Sequence, residues 1–377
     1  MPVAFADPSP VYIHSSQQAE ALRVARVQSL RSGRVHHAFH YNTVRQTDLW
    51  LDVFRKHSPV VGNPEFGRIY RASFARLAGE LAASVGTRRS VHVIGLGAGD
   101  GTKEAWLLEA LAAQGVAARF TAVDVSAELA LTACRKACAH LPGDRAAVLG
   151  ATSPSPYTAL VCDLLSCAPA DLSAWLDGAA TGASSSEGSA PLRIFTFFGL
   201  FPNFDPRDIF PWLCGLVRGD DILLASAHLA PTAPGDESAA AYAEGCRAVL
   251  PQYDNAATRA WLGAVLADWG WAPDLSPLHY ATEPLGPTGR TERVPCTVGA
   301  VEHLLRFRVT AQWQRTRTIG WQGEDIAVRE GEPLQVFFSL RYTPGRFEAA
   351  ARAFGLEPQL EELTSCREEG IWRLTAR

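Results

Sequence analysis

Short apolar segments alternate along the chain with longer segments in which apolar residues recur every three or four positions. Short continuous apolar segments of this kind predict strands that are buried on both faces. Helical spacing occupies 103–115 and 126–141, and Ser126 stands in the N-cap position of the second helix. Five strands are predicted, over residues 91–95, 119–124, 158–163, 192–198 and 221–227.

This order of strands and helices predicts a parallel sheet, because parallel neighbours need crossover connections. Right-handed crossovers place helices on both faces of such a sheet and leave a crevice at the carboxyl ends of its strands. The fold class expected is therefore α/β, with a doubly wound Rossmann-like sheet and a ligand site at its carboxyl edge.

The pattern changes after about residue 231. Helical spacing over 238–270 is followed by an irregular Pro/Gly-rich stretch at 277–295, and the segment 178–190 is predicted to be a surface loop. Later strands are predicted at 305–314 and 334–342, a helix at 345–355, and a hairpin at 358–365 and 370–376 that returns to the main sheet. The expected organisation is a helical capping segment at 1–60, a main domain at 61–230 and 336–377, and an inserted smaller α+β substrate domain at 231–335.

Composition narrows the class of ligand. The 377 residues are 47% hydrophobic, enough for one large core and a smaller one, and the net charge of −4 offers no basic surface for nucleic acid. No secretory leader and no run of about 18 apolar residues is seen, so no membrane partner is expected and the cytoplasm is the expected location. Eight scattered Cys lack close CxxC pairs, so no metal site is expected. A small-molecule partner remains by elimination.

The strongest local signal is a glycine-rich turn between the first predicted strand and helix. Gly97, Gly99 and Gly101 lie at every second position, and Lys103 follows in the helix. Glycine lets the backbone approach a ligand closely, and the free N–H groups of the helix start can donate to an anionic group. The nicotinamide fingerprint would require a third glycine at Thr102, which disfavours an oxidoreductase. A turn that serves only packing is the alternative.

Two acidic residues end neighbouring strands at the same edge. Asp124 closes the second strand, where a carboxylate can accept from two ribose hydroxyls, although it is also suited to cap the following helix. Asp163 closes the third strand and would lie near an adenine amine, with a capping role as its alternative.

The fourth strand leads into a polar residue with versatile hydrogen bonding. Asn203 can donate to a carboxylate and accept from an amine without adding charge. An Asx turn before Asp205 and Pro206 is the alternative reading.

With these residues in view, the chain resembles the histidine-specific, S-adenosylmethionine (SAM)-dependent methyltransferase family, which includes the ergothioneine-pathway histidine Nα-methyltransferase. The resemblance covers about 90–270 and 330–377. The segment 97–103 looks like the family's glycine turn, and 124–129 looks like its Asp-[Ile/Val]-Ser-x-x-[Phe/Leu] ribose segment. The segment 199–204 resembles its Gly-x-x-x-[Gly]-Asn-Phe motif, and 252–255 resembles its Tyr-Asp-Asp segment.

The resemblance implies a class I methyltransferase sheet, SAM as cofactor, and specific roles for residues. The cofactor would be held by Gly97, Ala98, Gly99, Lys103, Asp124, Asp163, Phe198 and Gly199. The acceptor would be held by Tyr41, Asn203, Tyr253, Phe337 and Ser339, with Asn203 and Tyr253 as the candidate catalytic residues.

Departures from the family pattern shape the expected substrate. Gly95 stands where the family places a Glu before the glycine turn, and Pro202 stands where Gly is usual. Phe337 replaces the substrate-contacting Glu of the Thr-Glu-x-Ser-x-Lys-Tyr segment, whereas Ser339 is kept. A one-residue register slip would turn Phe337 away from the pocket. The expected acceptor is the amine of an amino acid or derivative other than free histidine; O-methylation, another N-methylation and a non-catalytic SAM-binding role stay open.

Overall fold

A computed structural model of the protein describes residues 10–84, 90–138, 156–181, 191–286 and 301–377. The strands of these residues are β1 (Val11–Ile13), β2 (Val91–Leu96), β3 (Ala118–Asp124), β4 (Tyr157–Val161), β5 (Leu192–Phe198), β6 (Ile222–His228), β7 (His279–Pro284), β8 (Leu305–Gln312), β9 (Arg317–Trp321), β10 (Glu324–Val328), β11 (Pro333–Leu340), β12 (Leu356–Leu363) and β13 (Glu369–Ala376).

Eight strands form the main sheet, in the order β1-β4-β3-β2-β5-β6-β13-β12. The six strands from β1 to β6 are parallel, whereas β13 runs antiparallel between β6 and β12. All six residues of β2 are buried, as its continuous apolar sequence predicts. The order reverses at β2, which places a crevice at the carboxyl ends of β2 and β5. The predicted α/β Rossmann-like fold of class I methyltransferases and the returning hairpin are confirmed.

Helices cover both faces of this sheet and build the walls of the crevice. They are α1 (Ala19–Arg31), α2 (Val44–His57), α3 (Pro59–Gly62), α4 (Pro64–Ser84), α5 (Thr102–Ala113), α6 (Ala127–Cys138), α7 (Pro169–Thr181), α8 (Pro206–Leu216), α9 (Ala239–Val249), α10 (Ala256–Asp268), with the later α11 (Pro344–Ala353) between β11 and β12. Ser126 Oγ accepts a hydrogen bond from Leu129 N at 3.4 Å, as expected of the N-cap of α6. The predicted end of this helix, 139–141, lies outside the described residues.

A second, antiparallel sheet of order β11-β8-β7 stands beside the main sheet, and β9 and β10 form a hairpin. The prediction of irregular structure over 277–295 was wrong for 279–284, which form β7. Pairing with β8 holds this mostly exposed strand, and such non-local pairing leaves little signal in the local sequence. Residues 287–295 of that stretch and 182–190 of the predicted loop lie outside the described residues, and 178–181 belong to α7. The expected domain boundary at 335/336 falls inside β11.

An aromatic cluster joins the amino-terminal segment to the second sheet. Trp261 of α10 packs against Tyr41 and His40, with ring centroids 5.6 and 5.5 Å apart, and against Phe337 of β11 at 5.6 Å. Its indole Nε1 donates to His40 O at 3.0 Å. These contacts bring the amino-terminal segment over the crevice of the main sheet.

Candidate active site

The glycine turn after β2 is tightly enclosed. Gly97 has φ +63°, and a Cβ there would lie 2.1 Å from Leu200 Cδ1. Gly101 has φ +73°, and a Cβ there would lie 2.5 Å from Ala133 Cα. Both positions therefore require glycine for backbone conformation and for space. The turn opens the start of α5 toward a cavity at the carboxyl edge of the sheet.

Two adjoining cavities occupy this edge, with volumes of about 210 and 80 Å³. Gly97, Gly99 and Asn203 contribute to both. Predicted site residues that line the larger cavity are Tyr41, Gly97, Ala98, Gly99, Lys103, Phe198, Gly199, Asn203, Tyr253, Phe337 and Ser339. The structure thus brings together all the predicted site residues except two aspartates: Asp124 lines the smaller cavity, and Asp163 lines neither of the two cavities.

Asp124 lines the smaller cavity with apolar neighbours that include Leu129 and Leu164. Its Oδ2 accepts from Gly99 N at 3.0 Å and its Oδ1 accepts from Ser126 N at 2.9 Å. Burial raises the pKa of this carboxyl to about 6, although these backbone donors oppose the rise. Asp124 therefore organises the local turn and also faces the smaller cavity, and its contact with ribose hydroxyls stays a prediction.

Asp163 is oriented differently from the expectation. Its Oδ2 accepts from Ser166 Oγ at 2.6 Å, and the Nε2 atoms of His36 and His37 lie 3.6 and 3.5 Å from its two oxygens. Burial tends to raise the pKa of Asp163, but His37, His36 and Ser166 outweigh it and hold the pKa well below its usual range. Leu164, the next residue, lines the smaller cavity instead. The contact of Asp163 with an adenine amine stays a prediction.

Some clustered side chains have the chemistry of metal ligands. His36, His37 and Asp163 could offer three ligand atoms within 4.8 Å of one another, and so could His14, Cys162 and Cys167. Both groups lie beside the end of β4 and outside the larger cavity.

A buried acid that sequence reasoning missed lies at the base of the larger cavity. Glu104 of α5 is 4% exposed, and its Oε1 accepts from Thr196 Oγ1 at 2.9 Å. Burial raises its pKa to about 7. A Cβ on Gly95 would lie 3.2 Å from Glu104 Cγ, so the glycine that replaces the family's Glu leaves room for this carboxyl. The sequence feature that could have identified Glu104 is the presence of a glutamate among the apolar residues that α5 buries.

Lys103 precedes Glu104 and reaches the same cavity. Its Nζ lies 4.7 Å above the ring of Tyr70 and 5.8 Å from the ring centre of Phe198. Burial lowers the pKa of this ammonium, and the surrounding carboxylates oppose that change. The cavity therefore presents a cation and an acid from consecutive residues of one helix.

Asn203 follows β5 in a single turn of 3-10 helix and faces both cavities. The cap of α8 is supplied by Asp205, whose Oδ1 accepts from Arg207 N at 3.0 Å. Within the described residues the side chain of Asn203 makes no hydrogen bond to protein, so its amide is available to a ligand.

Three residues of β11 face the larger cavity at alternate positions: Phe337, Ser339 and Arg341, the last just beyond the strand. A bulge at Val336 sets this register and pairs Phe337 with Val309 of β8. Ser339 Oγ lies 2.8 Å from the hydroxyl of Tyr253, so these two predicted residues act as one polar group. Phe337 thus faces the larger cavity, as expected from the resemblance of its segment to the Thr-Glu-x-Ser-x-Lys-Tyr motif.

Arg341 is the second residue that sequence reasoning missed. It is 3% exposed, its Nη2 donates to Gln252 Oε1 at 2.8 Å, and its guanidinium lies 5.2 Å from the ring centre of Tyr253. Its Nε and Nη1 have no hydrogen-bond partner, and no carboxylate pairs with it within the residues that the structure describes. A buried guanidinium without a counter-ion is costly, which makes it a site for an anionic group.

Residues 71–152 match the model of a family described as histidine-specific, SAM-dependent methyltransferases. The match contains the glycine turn and Asp124, the elements around which the two cavities are built. The chain is a SAM-dependent methyltransferase. The resemblance found in the sequence and the expected cofactor are confirmed. None of the curated proteins matches the sequence of this methyltransferase.

Several solved structures are similar to the methyltransferase at low identity. A SAM-dependent methyltransferase from Bacteroides fragilis is 13% identical over 80% of this chain and 76% of its own, with TM-score 0.31. The amino pentose methyltransferase CalS10 from Micromonospora echinaspora is 9% identical over 81% and 92%, with TM-score 0.31. The plantazolicin methyltransferase BpumL is 10% identical over 95% and 99%, with TM-score 0.34. All three scores lie below 0.5, so the likeness is distant.

Among the described residues, none of the helices of the methyltransferase combines the length and the apolar character needed to cross a bilayer.

Proposed function

We propose that this methyltransferase transfers a methyl group to the amine of a small amino acid or amino-acid derivative whose side chain is apolar or aromatic. The observation that carries the proposal is the unpaired, buried guanidinium of Arg341 in the larger cavity. A carboxylate on the acceptor is the partner that this cation lacks.

The cofactor occupies the glycine turn in this proposal. Asp124 accepts from the ribose hydroxyls, and the apolar lining of the smaller cavity takes the adenine. Lys103 pairs with the carboxylate of the cofactor's amino-acid part, and Glu104 accepts from its ammonium group. Gly97 and Gly99 line both cavities, so their backbone contacts the cofactor directly in this proposal. When bound, SAM supplies an electrophilic methyl group on a sulfonium.

The acceptor's polar end is held by the opposite side of the cavity. Arg341 and the Tyr253–Ser339 pair bind the carboxylate, and Asn203 orients the amine toward the methyl donor. These groups position the nucleophile and exclude water, which is the main task of the protein in an in-line methyl transfer.

The acceptor's side chain contacts aromatic rings. The larger cavity is lined by the rings of Tyr41, Trp261 and Phe337. Of these, Trp261 belongs to the inserted region 231–335, which forms the specificity wall in this proposal. Phe337 cannot accept from an imidazole N–H, and an unpaired buried donor costs about 1–3 kcal/mol, so free histidine is a poor substrate.

The test compares acceptors with and without a carboxylate. Purified enzyme is given methyl-labelled SAM and aromatic or aliphatic amino acids, each paired with its decarboxylated amine, with histidine included. Amino acids are expected to be methylated on nitrogen, and their amines to lose at least tenfold in kcat/KM because the pairing with Arg341 is lost. Arg341→Met is expected to remove this preference, whereas the exposed control Arg329→Met keeps it.

Phe337→Glu is expected to gain activity on histidine. Equal turnover of amino acids and amines by wild type, methylation on oxygen, or efficient turnover of histidine would contradict the proposal.

A further inference from the structure

A histidine and a glutamate meet at the edge of the larger cavity, where β6 ends and β13 begins. The antiparallel register places His228 directly opposite Glu369. His228 Nδ1 lies 2.6 Å from Glu369 Oε2, and the glutamate side chain is fully buried. The imidazole lines the cavity and is 22% exposed, so the pair joins a buried carboxylate to a ring that a ligand can reach.

The hydrogen-bond network determines which nitrogen of His228 carries the proton. Glu369 Oε1 accepts from the hydroxyl of Tyr70 at 2.5 Å, and the hydroxyl oxygen of Tyr70 also lies 2.6 Å from Ser226 Oγ. Burial tends to raise the pKa of Glu369, but His228, Lys103 and Tyr70 outweigh it and hold the pKa at about 2. A carboxylate only accepts hydrogen bonds, so Nδ1 of His228 donates to Glu369, and Nε2 is the ring nitrogen left to exchange a proton with a ligand.

The Nε2 atom of His228 lies beside Gly199, just after the end of β5. Nε2 lies 3.3 Å from the point where a Cβ on Gly199 would stand, and Gly199 follows β5 four residues before Asn203. The absence of a side chain at Gly199 therefore leaves the imidazole accessible from the cavity. The charged and titratable groups that share this cavity with His228 are Tyr41, His57, Asp100, Lys103, Glu104, Tyr253 and Arg341.

We propose that His228, oriented by Glu369, is the base that removes the proton from the acceptor's nucleophilic nitrogen. The substrate class is then an ammonium, the form in which amino acids exist at neutral pH. This inference rests on the proposed function, which supplies the amine and the methyl donor.

The step is balanced in atoms and charge. The ammonium N–H bond breaks, and its proton goes to Nε2 of His228, which becomes an imidazolium paired with Glu369. The freed nitrogen lone pair forms a bond to the methyl carbon, while the carbon–sulfur bond breaks and its electron pair goes to sulfur. The products are a methylated ammonium, a thioether and the imidazolium, which returns its proton to water.

His228→Asn is the variant that isolates this role. The Asn amide can still donate to Glu369, so the buried carboxylate keeps a partner, but the base is gone. Binding of S-adenosylhomocysteine, measured by calorimetry, is expected to stay within about twofold, and kcat to fall about 10²-fold or more. The remaining activity is expected to rise steadily with pH, because the unassisted reaction depends on the fraction of free amine. His279→Asn, on exposed β7, is the matched control with unchanged kinetics.

A second measurement needs no acceptor. Nitrogen-15 NMR of the histidine rings, assigned with His228→Asn, is expected to show Nδ1–H and unprotonated Nε2 in wild type, with and without S-adenosylhomocysteine. An Nε2–H tautomer would overturn the proposal even if no amino acid were a substrate. Unchanged kcat with an unchanged pH profile in His228→Asn would overturn it as well, as would a tenfold loss of S-adenosylhomocysteine binding.

Discussion

Replacing Glu104 by Gln is expected to stabilise the free protein above neutral pH and, at the same time, to weaken its affinity for the cofactor. The carboxyl is buried and its pKa is raised from 4.5 to about 7. Between these two values the folded state holds a proton that the unfolded chain has released, so the free energy of unfolding falls as pH rises through this window. The destabilisation caused by the buried Glu104 carboxyl is fully present above its pKa in the folded state and absent below its pKa in the unfolded chain.

The size of the effect follows from the shift. The rise in the pKa of Glu104 from 4.5 to about 7 corresponds to roughly 3 kcal/mol, an upper value that Glu104→Gln would recover at about pH 8 and not at about pH 4. The amide keeps the hydrogen bond from Thr196 Oγ1, so the variant introduces no cavity. Thermal unfolding of the ligand-free protein is expected to shift upward by a few degrees at the higher pH only.

Glu104→Gln is expected to weaken the binding of the cofactor, although it stabilises the ligand-free protein. If Glu104 accepts from the cofactor's ammonium, its loss removes charge-assisted hydrogen bonds of about 1.5–3 kcal/mol each and weakens S-adenosylhomocysteine at least tenfold in calorimetry. Methylthioadenosine, which lacks the amino-acid part, should bind both forms equally. Glu109→Gln, an exposed residue of the same helix, is the control for both measurements. Equal destabilisation at both pH values, or unchanged S-adenosylhomocysteine affinity, would refute the reasoning.

Two further variants test the cofactor and acceptor sides. Asp124→Ala is expected to weaken S-adenosylhomocysteine at least tenfold in calorimetry, through the loss of charge-assisted hydrogen bonds to ribose, and normal binding together with NADH binding would contradict the assignment. Asn203→Ala is expected to leave that binding nearly intact while kcat falls, and a large drop in the melting temperature of the ligand-free protein would instead indicate a structural role.

The sheet was predictable because its signals are local. The buried strands are continuous apolar segments, and the glycines at 97 and 101 are required by positive φ and close backbone contacts. β7 was not predictable, since its exposed residues are held in place by β8. A local pattern reveals an element only when the element's own sequence determines its burial.

The same limit applies to the site. Asn203 and Phe337 were found because they follow or occupy strands in recognisable motifs, and the structure brings both to one cavity. Arg341 and the His228–Glu369 pair depend on contacts between residues distant in sequence. Their significance is the burial of a charge or the orientation of a ring, and neither property can be read from residue type alone.

The central claim is most directly tested by following a trideuteromethyl group from labelled SAM into a mixture of amino acids, with mass spectrometry identifying the methylated atom. The account predicts transfer to the amine of an apolar or aromatic amino acid by wild type, with a strong loss in Arg341→Met. Transfer only to acceptors that lack a carboxylate, or equal product from wild type and Arg341→Met, would contradict it.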